Sequence, residues 1–116
     1  MKSDGLIQEM AMNPHDRLDE FKLRAAVAVL ACTDMPTIRS AGLANLDRWA
    51  SIGVWVSAHD EWRALLTNGT DDEIRHAMTS RDQHSNRLRQ SPPYPGLLDE
   101  ATRQRILSAV RLWDGA

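Results

Sequence analysis

The chain has 116 residues, 42% apolar and 26% charged, the proportions of an ordinary folded domain, which excludes a disordered or fibrous protein. A formal net charge of -2 excludes nucleic-acid binding through bulk positive charge, and no apolar run approaches the ~18 residues of a membrane-spanning helix. Cys32 is the single cysteine, so no internal disulfide can form and a cytoplasmic location is expected.

Residues 1–12 carry one lysine and no apolar stretch of the signal-peptide kind; a flexible tail is expected there, with one helical domain over 13–116. Asn13 suits a helix N-cap, Pro14 the first helical position and Asp16 the positive helix end, so a helix is predicted to begin near Pro14. Phe21, Ala25, Ala28 and Cys32 share one face of it, and Leu23, Val27 and Leu30 share the next. Apolar on most sides, this segment is expected to be the central helix of the core, with Cys32 an inert buried thiol. A second helix is predicted from Pro36, with an apolar stripe of Ile38, Leu43, Leu46, Trp49 and Ala50. Gly53 is its stop, because glycine tolerates the left-handed backbone that ends helices.

Val54, Trp55 and Val56 have strand-like chemistry but no partner strand, and are read as an extended connector. Ser57 with Asp60 is expected to cap a third helix, lined inside by Trp62, Leu65 and Leu66 and ended by Asn68 and Gly69. Thr70 and Glu73 have capping-box spacing and open a short helix carrying Ile74, Ala77 and Met78. After Ser80 the apolar period lapses; Pro92, Pro93 and Pro95 then forbid regular helix. A last helix is predicted from Leu98 to Trp113, with Ile106, Ala109, Val110 and Trp113 inward. The expected class is all-α, about five helices in a compact orthogonal array or irregular bundle, with no sheet.

Trp49, Trp62 and Trp113 fall on predicted apolar faces and are expected to anchor the core, whereas Trp55 has no periodic support and is the indole expected to meet a partner. The helix pair around Gly53 has the outline of a helix-turn-helix, yet its second helix would present His59, Asp60 and Glu61 where phosphate should lie. Glu73 and His76 have the spacing of two metal ligands on one helix, without a second pair to complete a site. Neither a catalytic motif nor a cofactor-binding loop is recognisable, so no catalytic residue, metal or cofactor is assigned.

The segment RDQHSNRLRQSPPYPG, residues 81–96, is the one concentration of recognition chemistry. As a helix its first half would have no apolar face, and Arg81, Arg87 and Arg89 with neighbouring amides suit bidentate bonding to carboxylate or phosphate. Tyr94 is expected to plug the proline loop into the core with its hydroxyl on a backbone group. Seven acids stand against three arginines from Asp34 to Glu73, and seven arginines against three acids from Ile74 to Arg111. Pairing within one molecule is the favoured account of this asymmetry; a homodimer stays open.

These features lead to the expectation of a small helical interaction or regulatory module of bacterial type, comparable to an adaptor, an antitoxin or an inhibitor. It would bind an acidic protein partner through Arg81, His84, Asn86, Arg87, Arg89 and Gln90, with Tyr94 and Trp55 nearby. Replacing Arg87 and Arg89 by alanine is then expected to leave the fold intact. The alternative is a nucleic-acid-binding regulator using the helix pair around Gly53 or the arginine segment. An enzymatic reading would need His84 as a base, or Arg87 and Arg89 as an anion clamp.

Overall fold

Capping side chains set the helix boundaries. In the computed structural model, which describes residues 14–114, the elements are α1 (Pro14–Cys32), α2 (Met35–Ser51), α3 (Ser57–Asn68), α4 (Asp71–Thr79), α5 (Gln83–Arg89), a 3-10 turn (Pro95–Leu97) and α6 (Glu100–Arg111). The fold is all-α, and no strand occurs among the described residues. The tail expected over 1–12 and the cap expected at Asn13 lie outside the described residues.

Asp34 accepts the Thr37 amide at 2.9 Å and starts α2, with Pro36 in its first turn. Gly53, at φ +78°, turns the chain after α2. The α3 cap differs from the expected Ser57–Asp60 pair. The helix begins at Ser57 itself, Val56 is the flanking residue, and its amide donates to His59 Nδ1 at 3.3 Å. That shift frees Asp60 to accept from Trp55 Nε1 at 3.1 Å. Thr70 and Glu73 do form the reciprocal capping box, at 3.1 and 2.8 Å. Asp82 caps α5 by accepting the Ser85 amide at 2.7 Å, so the arginine segment forms a sixth helix where about five were expected. Asp99 caps α6 in the same way, accepting the Thr102 amide at 2.7 Å. It makes α6 shorter than the span from Leu98 to Trp113, and Ala109 faces out rather than in.

Trp62 on α3 is the centre of the core. Its ring has no exposed surface, Nε1 donates to the Leu88 carbonyl at 2.8 Å, and Tyr94 meets its edge with centroids 5.7 Å apart. Around it lie Ile38 and Leu46 from α2, Leu66 from α3, Ile74 and Met78 from α4, Leu88 from α5, and Ala26 and Val29 from α1. Of the other indoles, Trp49 and Trp55 pack partly buried against this cluster and Trp113 is partly covered at the end of α6, so the interior rests on one indole, not three.

α1 also corrects an expectation. Its buried stripe is Glu20, Leu23, Ala26 and Val29, which turns Val27 and Cys32 to the outside. A helix rich in alanine and valine reads as apolar all round; the packing of α4, α5 and α6 against it selects which stripe is covered.

α2 and α3 cross closely at Gly42. A Cβ placed there would lie 2.6 Å from Leu66 Cδ1, on a side chain that is itself buried. Gly42→Ala is therefore expected to lower the urea midpoint and cost about 1–3 kcal/mol, although alanine is favoured over glycine by roughly 1 kcal/mol in an open helix. Chemical denaturation of the two proteins checks the sign.

Candidate functional site

The fold brings internal partners to each predicted arginine. Arg81 donates to Glu20 Oε1 at 2.8 Å, while Arg24 holds the other oxygen at 2.7 Å. Burial pushes the Glu20 carboxyl up, but the hydrogen bonds from Arg81 and Arg24 outweigh it and leave the group below its ordinary value. Arg87 pairs with Glu61 of α3, and His84 stands 3.6 Å from the same carboxylate. Arg89 is 1% exposed, donating to the Ala77 carbonyl at 3.0 Å and to Asn86 Oδ1. Asn86 in turn donates to the Arg81 carbonyl, and Gln90 reaches Asp19 at 2.5 Å.

The segment expected to lack a buried face has one, formed by Ser85, Leu88 and Arg89. Local periodicity missed it because a buried guanidinium does not read as core. Tyr94 does plug the proline loop, but its hydroxyl has no hydrogen-bond partner among the described residues, where a backbone partner was expected. Trp55 is partly buried, meeting His59 edge-on with ring centroids 5.0 Å apart, and the Arg63 guanidinium lies 5.3 Å from its ring centroid. It is a packed side chain before it is a free one.

Similar side chains close other helix ends. Arg39 donates to the Leu66 and Gly69 carbonyls at 3.0 and 2.8 Å and to Asp71 at 2.8 Å, which closes the end of α3 and ties it to α4. Arg17 donates to the carbonyls of Val110, Arg111 and Trp113 at the end of α6. Nothing in the local sequence signals these contacts, because donor and acceptor lie 27 to 96 residues apart.

The outer side of α3 offers little to phosphate. His59 is buried, Asp60 and Glu61 are the leading polar groups, and Arg63 pairs with Asp47 at 2.9 Å. Among the described residues no three His, Cys, Asp or Glu side chains gather as a metal site, and His76 pairs with Asp82 at 2.9 Å.

A different surface remains open. Three hollows adjoin through shared wall residues, from the ends of α1 and α6 to the connector before α3, and are together called the trough. The first is walled by Leu18, Phe21, Leu107 and Val110; the second, sharing Phe21 and Arg103 with it, by Ala25, Tyr94, Pro95 and Leu98. The third shares Lys22, Pro92 and Pro95 with the second and is walled by Trp49, Val54, Val56 and His59. Leu18, Val54 and Val56 are each more than two-fifths exposed, and Ile52 next to them is 67% exposed. Among the described residues every ionisable side chain lining the trough except the Tyr94 phenol is a base: Arg17, Lys22, His59, Arg103 and Arg111. No described carboxylate lines it. His59 shapes its far end, stacked on Trp49 with centroids 5.2 Å apart. Sequence reasoning missed this site because its walls come from four separate segments, none of which stands out by itself.

Comparison with protein families, curated proteins and solved structures finds no match to the chain.

Two outcomes follow from these contacts. Arg89→Ala, expected from the sequence to leave the fold intact, is instead expected to destabilise the protein by about 2–5 kcal/mol, since the side chain is buried and its loss opens a cavity and strips the Ala77 carbonyl of its donor. Arg87→Ala should stay within about 1 kcal/mol of wild type, as for an exposed pair. Urea unfolding of the two variants separates these effects. For His59, burial pushes the imidazole below its ordinary value, against the pull of Asp60. The unfolded chain then binds more protons in the window between the two values, so stability is full above about pH 6.5 and is lost as pH falls toward the folded value. His59→Gln keeps an acceptor for the Val56 amide without titrating. Its denaturation midpoint should change less than that of wild type between about pH 7.5 and 5.5.

Proposed function

We propose that the protein is a small helical interaction module that docks an acidic, partly apolar segment of a protein partner along the trough. The observation that supports this reading is the combination of an apolar floor with a lining whose charged groups, among the described residues, are all basic, in a chain whose net charge is -2. A patch of exposed valine, leucine and tryptophan surface is costly in water and is relieved by a complementary apolar face. Basic groups around it select acidic partners and speed their encounter. A regulatory role of the adaptor, antitoxin or inhibitor kind is consistent with such a module and requires no chemistry of its own. The arginine segment is assigned a smaller part, with His84 and Arg87 at an exposed edge shared with Glu61.

Affinity capture from the source cells, with mass spectrometry, compares wild type with Leu18→Glu/Val54→Glu, which puts like charge on two exposed apolar walls of the trough. The expected result is an acidic protein that wild type retains, and that the double variant loses at unchanged melting temperature. Equal capture by both would reject the trough. A gel shift with random DNA and RNA at low salt should show no retardation; retardation abolished by the same two substitutions would transfer the surface to nucleic acid.

A further inference from the structure

We propose that Lys22 and Arg103 form a seat for one carboxylate of the docked segment, so that the partner carries an acidic residue with a large apolar side chain on either side of it. This inference rests on the docking reading above and names the chemistry recognised there. Lys22 and Arg103 both line the middle hollow; Arg103 also borders the Leu18–Leu107 end, and Lys22 the Trp49–Val54 end. A carboxylate entering between them has an apolar hollow to each side, which receives the two flanking side chains.

The other basic side chains of the trough are less suited. Arg17 already serves three carbonyls at the end of α6, and His59 Nδ1 accepts from the Val56 amide. Arg111 lines only the outer hollow. Lys22, by contrast, is partly buried and has no carboxylate partner among the described residues. Burial, and then the nearby Arg103 charge, pull its pKa down. Arg103 lies over the Phe21 ring at 5.6 Å and reaches Glu100 only at 3.6 Å, which leaves guanidinium donors for a second carboxylate. A carboxylate between the two would relieve their mutual repulsion. The apolar walls would strengthen that attraction by keeping water away.

The test uses two displayed peptide libraries with randomised flanks, one with a central Glu and its twin with a central Gln, selected on the full chain. Binding is mapped by amide chemical shifts. Lys22 is followed by NMR of reductively 13C-methylated protein, in which Lys2 is the other labelled lysine. Peptides from the Glu library should move the signals of Trp49, Leu98 and Phe21, raise the Lys22 pKa and weaken about tenfold with either Lys22→Gln or Arg103→Gln. Their Gln twins should bind about tenfold more weakly to wild type. Peptides that occupy the trough equally well with a central Gln, or that ignore both substitutions, would overturn the seat and leave docking standing. If no peptide from either library moves the trough signals, the docking reading fails and the seat with it. The melting temperature of each unbound variant is measured beside wild type, which separates lost binding from lost folding.

Discussion

Short helices leave their last carbonyls without intrahelical donors, and closing those ends organises this protein. The described helices span 7 to 19 residues, so helix ends are frequent and several lie against the core. Arginines from distant segments serve three of them: Arg39 at α3, Arg89 at α4 and Arg17 at α6. A guanidinium suits the task because its five donors reach two or three acceptors at once while the stem packs on apolar surface. Arg89 is the extreme case, enclosed with no carboxylate in contact among the described residues, its charge met by a carbonyl and an amide oxygen. Burial accordingly pulls its pKa down.

That use of arginine decides where recognition is available. Arg81 and Arg87 are also engaged, by Glu20 and Glu61, so the segment richest in guanidinium is close to internally neutral. The trough keeps positive charge beside apolar walls: Lys22 has no carboxylate partner among the described residues and Arg103 meets Glu100 only at 3.6 Å. Its far end belongs to the connector after Gly53, which holds Val54 and Val56 outward while His59 is gripped between Trp49 and Trp55. The helix pair that resembles a DNA-reading element thus supplies a wall of an apolar hollow, through its connector and the buried start of its second helix.

Much of the fold was legible along the chain because the signals are local. The Thr70–Glu73 box, the turn at Gly53, the helix opening near Pro36 and the inward Trp62 each depend on neighbours within about one helical turn. Errors gathered where the local signal was degenerate. In α1 two apolar stripes compete and only the docking of α4, α5 and α6 selects Glu20, Leu23, Ala26 and Val29. At α3 a one-residue shift of the helix start replaced Asp60 by His59 as the capping group.

The candidate site was far less legible. Tyr94 was singled out and does line the trough, but Lys22 and Arg103, 81 positions apart, stood in helices read only for their apolar faces. By itself the sequence determined an all-helical chain, most of its helix starts, and an inward Trp62, since periodicity and capping act between residues three or four apart. Tertiary structure alone decided which arginines are consumed at helix ends and which basic groups line the trough, because ion pairing and carbonyl capping depend on distances in space that separation along the chain does not encode.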